Sequence, residues 1–349
     1  MSSGLYLPSG YLAVDRLRST APPFSLITGG RGTGKTYGFL ESYRLTDPAP
    51  FILMRRTQEQ VNMLSLPDFD PFREIDADHG IITINKKMGG RISAFYNGVM
   101  DGAEARPDGA PIGYAMALST IHNIRGFSAA QVQAIIFDEF IPERQERWIP
   151  DEFNAFLNAY ETINRNRELK GEPPVKMFCL SNSNTLANPY FIGLKIVERV
   201  DRMRSSGTEI WEDQKRGLRI VAMEDSPISE LKSQTALYKL ASDTDYAEMA
   251  IKNKFANEAR SRTGSWPLRE LIPLVSIGEL CLYRHKSRRE LYGSTHKSGN
   301  PVVYGTTDAD VARFQAKFGW TWELYLDDKI VWQHYTPEIL YRRFMGERY

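Results

Sequence analysis

The segment GGRGTGKT near the start of the chain combines glycines with a lysine and a threonine in the order of a phosphate-binding loop. It matches the pattern G-x-x-x-x-G-K-[ST] and lies between an apolar stretch, 24–28, that predicts a buried strand and a helix-compatible stretch, 37–44. A glycine-rich turn between a strand and a helix leaves backbone N–H groups available to bind an anion. The pattern therefore predicts an ATP-binding loop formed by Gly29, Gly30, Arg31, Gly32, Thr33, Gly34, Lys35 and Thr36.

Two adjacent carboxylates, Asp138 and Glu139, follow an apolar run, 134–137, that predicts a second strand at the same site. This is the Walker B form expected of a P-loop enzyme that hydrolyses ATP. Asp138 and the Thr36 hydroxyl are predicted to hold Mg²⁺, while Lys35 contacts the β- and γ-phosphates. Glu139 is predicted to polarise the attacking water as general base. The adjacent acids favour a motor or remodelling ATPase over a GTPase-like switch.

Hydrolysis also needs a group that senses the γ-phosphate and a cation that stabilises its charge. Asn182, after the strand-like run 177–180, is the predicted sensor, and an Asn/Ser turn that merely closes the strand is the alternative. Arg165 and Arg167 lie at a predicted helix end, and Arg125 lies in a loop before the Walker B strand. Each is a candidate arginine finger from a neighbouring subunit, although most surface arginines are only solvated.

Strand-like runs that alternate with helix-like segments predict the elements that position these groups. The pattern is typical of an α/β fold with a mainly parallel sheet, whose strands are expected at 24–28, 51–54, 132–137, 177–180 and 218–223. An insertion of short strands is expected at 81–84, 91–96 and 114–118, and its Gly/Pro/Asp-rich connector, 98–113, predicts a mobile loop. A helix is predicted over 151–168.

The pattern of strand-like and helix-like segments in the sequence changes near residue 228. We predict a P-loop ATPase domain over 1–228, a helical linker over 229–262 and a small α+β domain over 263–349. Strands of the last domain are expected at 271–277, 279–284, 301–306 and 320–326.

Composition excludes several classes of protein. The 349 residues are 42% hydrophobic and 25% charged with a formal net charge of +1, which argues against coating nucleic acid through bulk charge. Cys179 and Cys281 form no C-x-x-C pair, so no disulfide framework or zinc site is expected. No apolar run is long enough to span a bilayer and no secretory stretch is evident, so we expect a soluble intracellular protein without membrane contact.

An ordered set of motifs gives the sequence a family resemblance. After the phosphate loop come FDEF (137–140), RNRE (165–168), CLSN (179–182) and NPYF (188–191). In order and spacing the set resembles the φ29-type DNA-packaging ATPases of small tailed phages, which are relatives of terminase large subunits. The likeness covers roughly residues 5–260 and becomes diffuse in the tail.

The resemblance implies a P-loop NTPase of the ASCE type that works as a homo-oligomeric ring, a pentamer, at the portal vertex of an empty capsid in the host cytoplasm. ATP hydrolysis there drives double-stranded genomic DNA through the portal. The resemblance makes Arg165 the leading finger and matches Arg125 to a basic residue that acts across the subunit interface. It implies an RNase H-like tail without nuclease activity. The family also uses a structural packaging RNA, and whether this chain does so stays open.

Three other functions compete with the motor. A terminase with a working nuclease needs clustered acids around two metal ions, whereas the tail acids follow no strand-Asp pattern and are expected to be solvated: Asp308, Asp310, Asp327 and Asp328. A nucleotide-dependent assembly switch is disfavoured by the adjacent Walker B acids. A helicase is disfavoured because no helicase motif set follows residue 190.

Contact with DNA is only weakly marked in the sequence. The main basic clusters are Lys86, Lys87 and Arg91 in the insertion and the run 284–289 in the tail. Each is either a solvated face or a phosphate-binding surface. A motor needs only sequence-independent phosphate contacts.

Overall fold

The computed structural model describes residues 4–346 except 125, 128, 143–145, 147, 183–185, 187, 224–225, 229–230, 232–233 and 241–261. The chain divides into two compact units, one formed by 1–184 with 203–254 and the other by 185–202 with 255–349. Most of the predicted linker, 229–262, lies outside the described residues, and the boundaries at 228 and 262 stay predictions. Residues 185–202, assigned from sequence to the ATPase domain, belong to the second unit.

The first unit is built on a nine-stranded mixed sheet with the order β3-β4-β5-β2-β6-β7-β1-β9-β8. Its six central strands pair in parallel: β1 (Phe24–Gly29), β2 (Phe51–Arg55), β5 (Glu104–Ala117), β6 (Ala134–Asp138), β7 (Lys176–Asn182) and β9 (Leu218–Met223). Antiparallel strands extend both sides: β3 (Thr83–Lys87), β4 (Ser93–Asp101) and β8 (Ile210–Asp213). The central strands are apolar without alternation because both of their faces are buried. The predicted α/β class is confirmed.

Several helices lie before, between and after these strands along the chain, and those within 185–202 belong to the second unit. The described helices up to residue 240 are α1 (Val14–Ser19), α2 (Lys35–Glu41), α3 (Gln58–Met63), α4 (Arg73–His79), α5 (Glu152–Asn164), α6 (Pro189–Gly193), α7 (Val197–Ser206) and α8 (Ala236–Leu240). The predicted helix 151–168 is shorter than expected because Arg165 and Asn166 adopt left-handed backbone angles, with φ of 48° and 56°. No helix among the described residues is long and apolar enough to cross a membrane.

The predicted mobile loop at 98–113 is wrong. These residues form most of a long hairpin in which β4 and β5 pair from Asp101↔Glu104 back to Asn97↔Asp108 and beyond. Gly102, with φ of 67°, begins the two-residue turn, where a positive φ favours glycine. The glycines and aspartates that suggested a loop therefore belong to a tight turn and to exposed strand positions.

The second unit contains a five-stranded mixed sheet with the order β13-β10-β11-β12-β14. Its strands are β10 (Leu271–Ile277), β11 (Leu280–His285), β12 (Leu291–Ser294), β13 (Val302–Tyr304) and β14 (Ile330–Trp332), and its later helices are α9 (Asp308–Phe318), α10 (Thr321–Leu326) and α11 (Tyr335–Phe344). The strand predicted at 320–326 is wrong, because α10 occupies this segment. Its helical spacing brings the rings of Trp322 and Tyr325 to 5.0 Å from each other and that of Trp322 to 6.0 Å from Tyr341.

Candidate nucleotide site

The predicted phosphate loop, residues 29–36, lies at the carboxyl end of β1 and leads directly into α2. Two of its glycines are required by the geometry. Gly34 has φ of 81° and precedes the first helical residue, and a Cβ there would lie 3.1 Å from Tyr11 Cδ1. A Cβ on Gly29 would lie 2.6 Å from Met223 Cβ on the neighbouring strand. The loop can therefore follow this path only with glycine at both positions.

Lys35 turns its ammonium group back into the phosphate loop. Nζ donates to the carbonyl oxygens of Gly29 (3.1 Å) and Gly30 (2.7 Å) and to Thr33 Oγ1 (3.2 Å). The side chain is only 7% exposed, so the cation is held by the loop that is expected to bind phosphate. An anion in the loop would meet both this positive charge and the start of a helix.

The predicted metal ligands meet although they are far apart in sequence. Thr36, at the start of α2, donates from Oγ1 to Asp138 Oδ1 at 2.9 Å, and Asp138 is the buried last residue of β6. A hydroxyl and a carboxylate oxygen are the hard ligands that Mg²⁺ prefers, and the ion keeps several waters when only one or two protein oxygens bind it. This pair of side chains therefore fits a magnesium ion bound together with phosphate.

The carboxylates of Asp138 and Glu139 share one guanidinium group. Arg55, the last residue of β2, places Nη2 2.9 Å from Asp138 Oδ2 and Nη1 2.7 Å from Glu139 Oε2. The Arg55 side chain is 15% exposed, and its Nε is buried with no hydrogen-bond partner among the described residues. Arg55 was not among the predicted site residues, yet it holds both acids in place.

Glu139 differs from Asp138 in backbone and in environment. Its φ is 55°, a left-handed conformation that non-glycine residues adopt rarely, and half of its side chain is exposed. Burial raises the pKa of Glu139, while the positive charge of Arg55 lowers it. A strained backbone angle and a perturbed carboxyl pKa are features that cluster at functional sites.

Asn182 lies beside the phosphate loop. Strand β7 stands between β1 and β6, and its last residue, Asn182, pairs in register with Gly29. The predicted sensor is therefore next to the first residue of the loop and on the strand adjacent to that of Asp138.

Arg56, the residue directly after β2, anchors α5, the helix that follows Asp138 and Glu139 in the chain. Arg56 is buried and makes two hydrogen bonds to Glu152, from Nε at 2.7 Å and from Nη2 at 2.9 Å. Glu152 is the first residue of α5, and its side chain is fully buried. The tandem Arg55-Arg56 thus connects one strand end with the Walker B acids and with α5.

Of the arginine-finger candidates, two lie away from this chain's own phosphate loop. Arg165 Nη2 donates to the carbonyl oxygen of Phe127 at 2.7 Å, and Arg167 Nη2 donates to that of Ala129 at 2.7 Å. Both carbonyls lie in the segment that leads into β6, at the amino ends of the parallel strands, whereas the loop lies at their carboxyl ends. Arg125 lies outside the described residues.

The acids of the second unit make local contacts. Asp310 accepts hydrogen bonds from Thr307 and Arg313, within one turn of α9's start, and Asp327 pairs with Lys329 at 2.8 Å. Among the described residues, no group of three or more His, Cys, Asp or Glu side chains could hold a metal ion.

Comparison with known proteins identifies the family. Residues 3–263 match the family described as Podovirus DNA encapsidation protein (Gp16). The chain belongs to this family. The predicted resemblance is thereby confirmed, and the chain is a phage DNA-packaging protein.

Individual relatives agree with the family assignment. The chain is 27% identical to the DNA packaging protein of Bacillus phage phi29 over 261 residues, which cover 73% of this chain and 67% of that protein. It is 32% identical to that of Bacillus phage B103 over 154 residues, 44% of each. A solved structure of the bacteriophage Phi-29 viral genome packaging motor assembly matches with a TM-score of 0.66 at 20% identity, covering 96% of this chain and 99% of that one. This last likeness shows a common fold.

Proposed function

We propose that the chain is an ATP-hydrolysing motor that drives double-stranded viral DNA into a preformed capsid through the portal. The observation that carries the proposal is the meeting of Lys35, Thr36, Asp138 and Glu139 at one edge of the sheet. Membership of the DNA encapsidation family supports the direction in which the energy of hydrolysis is used.

The residues of the site divide the work of hydrolysis. The phosphate-loop amides and Lys35 bind and orient the β- and γ-phosphates, while Thr36 and Asp138 hold Mg²⁺, which neutralises phosphate charge when bound. Glu139 accepts a proton from the attacking water. Asn182, next to Gly29, senses the γ-phosphate. The strand β7 between β1 and β6 and the glutamate after Asp138 support the ASCE classification.

Arg55 controls when Glu139 acts as a base. Its guanidinium is bound to Glu139 at 2.7 Å, and a carboxylate engaged in this contact is held by a cation and is less basic. Glu139 must leave Arg55 to approach an attacking water. Arg55 is therefore a positioning residue that keeps the site inactive until ATP and a neighbouring subunit rearrange it.

The finger comes from a second copy of the chain. Arg165 lies at the amino ends of the strands, away from its own loop, and its backbone is held in a left-handed conformation at the end of α5. This placement supports an interface with a second copy in which Arg165 reaches the γ-phosphate of the adjacent subunit, and we propose that the copies close into a pentameric ring. Arg125 is proposed to act across the same interface.

The partners follow from the motor. We propose that the ring binds the portal of the procapsid in the host cytoplasm, with a structural packaging RNA as a possible further component. The second unit is proposed to be an RNase H-like domain that has lost nuclease activity. The local pairing of its acids supports this proposal.

The test is ATP turnover with empty capsids and linear double-stranded DNA, with protection of the DNA from added nuclease as the readout. The motor requires DNA-stimulated ATP hydrolysis and ATP-dependent protection of long DNA, both absent in Glu139→Gln. Cutting of DNA by the purified protein with Mg²⁺ or Mn²⁺ would instead indicate a nuclease-active terminase. ATP binding without DNA-stimulated turnover or protection would indicate an assembly switch.

A further inference from the structure

The β3–β4 turn lies at the same edge of the sheet as the Walker B acids. Strand β5 is parallel to β2 and ends at Ala117, which pairs with Arg55. Strand β4 is antiparallel to β5, and its first residue, Ser93, pairs with Ala115 near that end and with Lys87 at the end of β3. The turn between Lys87 and Ser93 therefore projects from the carboxyl edge. The β4–β5 turn projects from the opposite edge.

The turn at the carboxyl edge is basic and open. Lys86, Lys87 and Arg91 are all exposed, and no ion pair or hydrogen bond engages their side-chain nitrogens among the described residues. Gly89 and Gly90 at its tip have no atom within 4 Å of the position that a Cβ would take. We call residues 86–91 the basic turn. A large flat or grooved polyanion can approach its backbone and its three cations together.

The opposite turn makes a useful contrast. The hairpin tip between β4 and β5 carries Asp101, Glu104 and Asp108, and its one cation, Arg106, is paired with Asp101 at 2.6 Å. The two turns of one three-stranded ribbon thus differ in the sign of their charge. The unpaired positive charge is concentrated at the edge where hydrolysis is proposed.

The basic turn is connected to the nucleotide site by a short stretch of chain. Arg55 contacts both Walker B acids, and Thr57, two residues later, caps α3 through a hydrogen bond from Gln60 N. Gln58, the first residue of α3, donates from Nε2 to the carbonyl oxygen of Arg91 at 3.4 Å and accepts from Thr120 Oγ1 at 2.9 Å. Gln58, three residues after Arg55 in the chain, therefore contacts the backbone of the basic turn.

We propose that the basic turn binds the phosphate backbone of duplex DNA and is the element through which the nucleotide site acts on DNA. This inference rests on the proposed motor function and names the surface that meets its substrate. The contact uses charge without base recognition, as a motor that moves any sequence requires. Lys86, Lys87 and Arg91 supply about three phosphate contacts.

The experiment measures the affinity of the full-length chain for a duplex DNA fragment of random sequence at several salt concentrations. The test variant is Lys86→Gln/Lys87→Gln/Arg91→Gln. The matched control is Lys170→Gln/Lys215→Gln/Lys239→Gln, which removes three exposed cations outside the basic turn with the same change in net charge. A charge-keeping variant, Lys86→Arg/Lys87→Arg/Arg91→Lys, reports on folding and on side-chain shape. ATP hydrolysis without DNA is measured for all four proteins.

The slope of log affinity against log salt is negative, and losing three phosphate contacts should reduce its magnitude by about 2.7. When the salt concentration rises from about 50 to about 200 mM, the fold-loss of DNA affinity should be about 40 times smaller for the test variant than for the wild type. The control and the charge-keeping variant should keep the wild-type slope. DNA-independent ATP hydrolysis should be equal in all four proteins, while DNA-stimulated hydrolysis is lost in the test variant.

Two results would overturn the inference in distinguishable ways. If the wild type binds and packages DNA but the test variant keeps its slope and its stimulation, the basic turn is not the DNA contact and the motor stands. If the wild type itself fails to bind duplex DNA or to protect it in capsids, the motor and the inference fail together.

Discussion

Two sets of acidic side chains, one in each unit, are paired in opposite ways. In the first unit, side chains from distant parts of the sequence converge on one sheet edge: Thr36 meets Asp138 across 102 residues, and Arg55 meets Glu139 across 84. In the second unit, the acids named above pair with neighbours three residues away or fewer. Only the first arrangement brings several charges into a partly buried space.

The difference separates charges that do chemistry from charges that stabilise local structure. An exposed acid at a helix start satisfies backbone N–H groups and contributes little beyond that. A buried set of opposite charges costs desolvation energy and needs excellent geometry, so its presence at the carboxyl edge calls for a functional explanation. ATP hydrolysis supplies one.

The largest effects should follow changes at the converging edge. Lys35→Ala should lose ATP binding and hydrolysis together, because the cation held by the phosphate loop disappears. Glu139→Gln should still bind ATP but hydrolyse it at least about 100-fold more slowly, because only the base is removed. Nucleotide binding and single-turnover hydrolysis measure the two steps separately. Near wild-type hydrolysis by Glu139→Gln would show that another group is the base.

A buried pair and an exposed pair should differ in stability. Arg56→Met leaves the buried carboxylate of Glu152 without its guanidinium partner and should lower the free energy of unfolding by about 3–5 kcal/mol. Arg313→Met, which removes an exposed guanidinium that pairs locally with Asp310 in α9, should leave it nearly unchanged. Urea unfolding monitored at pH 7 compares the two. Equal effects would remove the contrast between the units.

Arg165 should act in trans. In a mixture of Lys35→Ala and Arg165→Ala subunits, each inactive alone, some interfaces combine an intact loop with an intact finger. Partial recovery of ATP hydrolysis is expected, with a maximum at an intermediate mixing ratio. Arg167→Ala in place of Arg165→Ala is the matched control, since Arg167 makes similar carbonyl contacts two residues away. Absence of recovery at every ratio would leave Arg165 a structural role.

The acid side of the pH profile should depend on Arg55. As the proposed base, Glu139 works only when ionised, so the rate should fall as pH drops through its pKa, which burial raises. Arg55 opposes that rise, so Arg55→Gln should raise the pKa further and move the acid limb to higher pH. The pH dependence of single-turnover hydrolysis measures the shift. Glu139→Gln should lack this limb, and an acid limb that moves to lower pH in Arg55→Gln would contradict the pairing.

Much of this edge could be predicted from the sequence because local patterns carry it. A glycine loop between a strand and a helix, and an apolar strand that ends in two acids, specify the phosphate loop and the Walker B pair independently of the rest of the chain. Their meeting at Thr36 and Asp138 follows because carboxyl ends of parallel strands share an edge.

Other features depend on tertiary contacts that no local pattern reports. Arg55 and Arg56 end an apolar strand just as the acids do, and that signal could have placed them at the site, but their partners lie far along the chain. The β4–β5 hairpin is not apparent from the sequence because exposed strands rich in Gly, Pro and Asp resemble a loop. Residues 320–326 have a strand-like composition because Trp and Tyr also favour strands, whereas in the structure this segment packs on Tyr341 as a helix.

The smallest effect is expected where the comparison predicts no chemistry. Asp308, Asp310, Asp327 and Asp328 can be replaced together by Asn in the second unit. ATP hydrolysis, DNA protection in capsids and DNA cutting with Mn²⁺ should all equal those of the wild type, because these acids belong to no group among the described residues that could hold a metal ion. The free energy of unfolding should stay close to that of the wild type, because the lost pairs are local. The control is Asp138→Asn, a single change of the same chemistry in the first unit, which should abolish ATP hydrolysis.

One outcome would contradict the prediction. If the wild type cuts DNA in the presence of Mn²⁺ and the quadruple variant does not, the second unit holds an active nuclease.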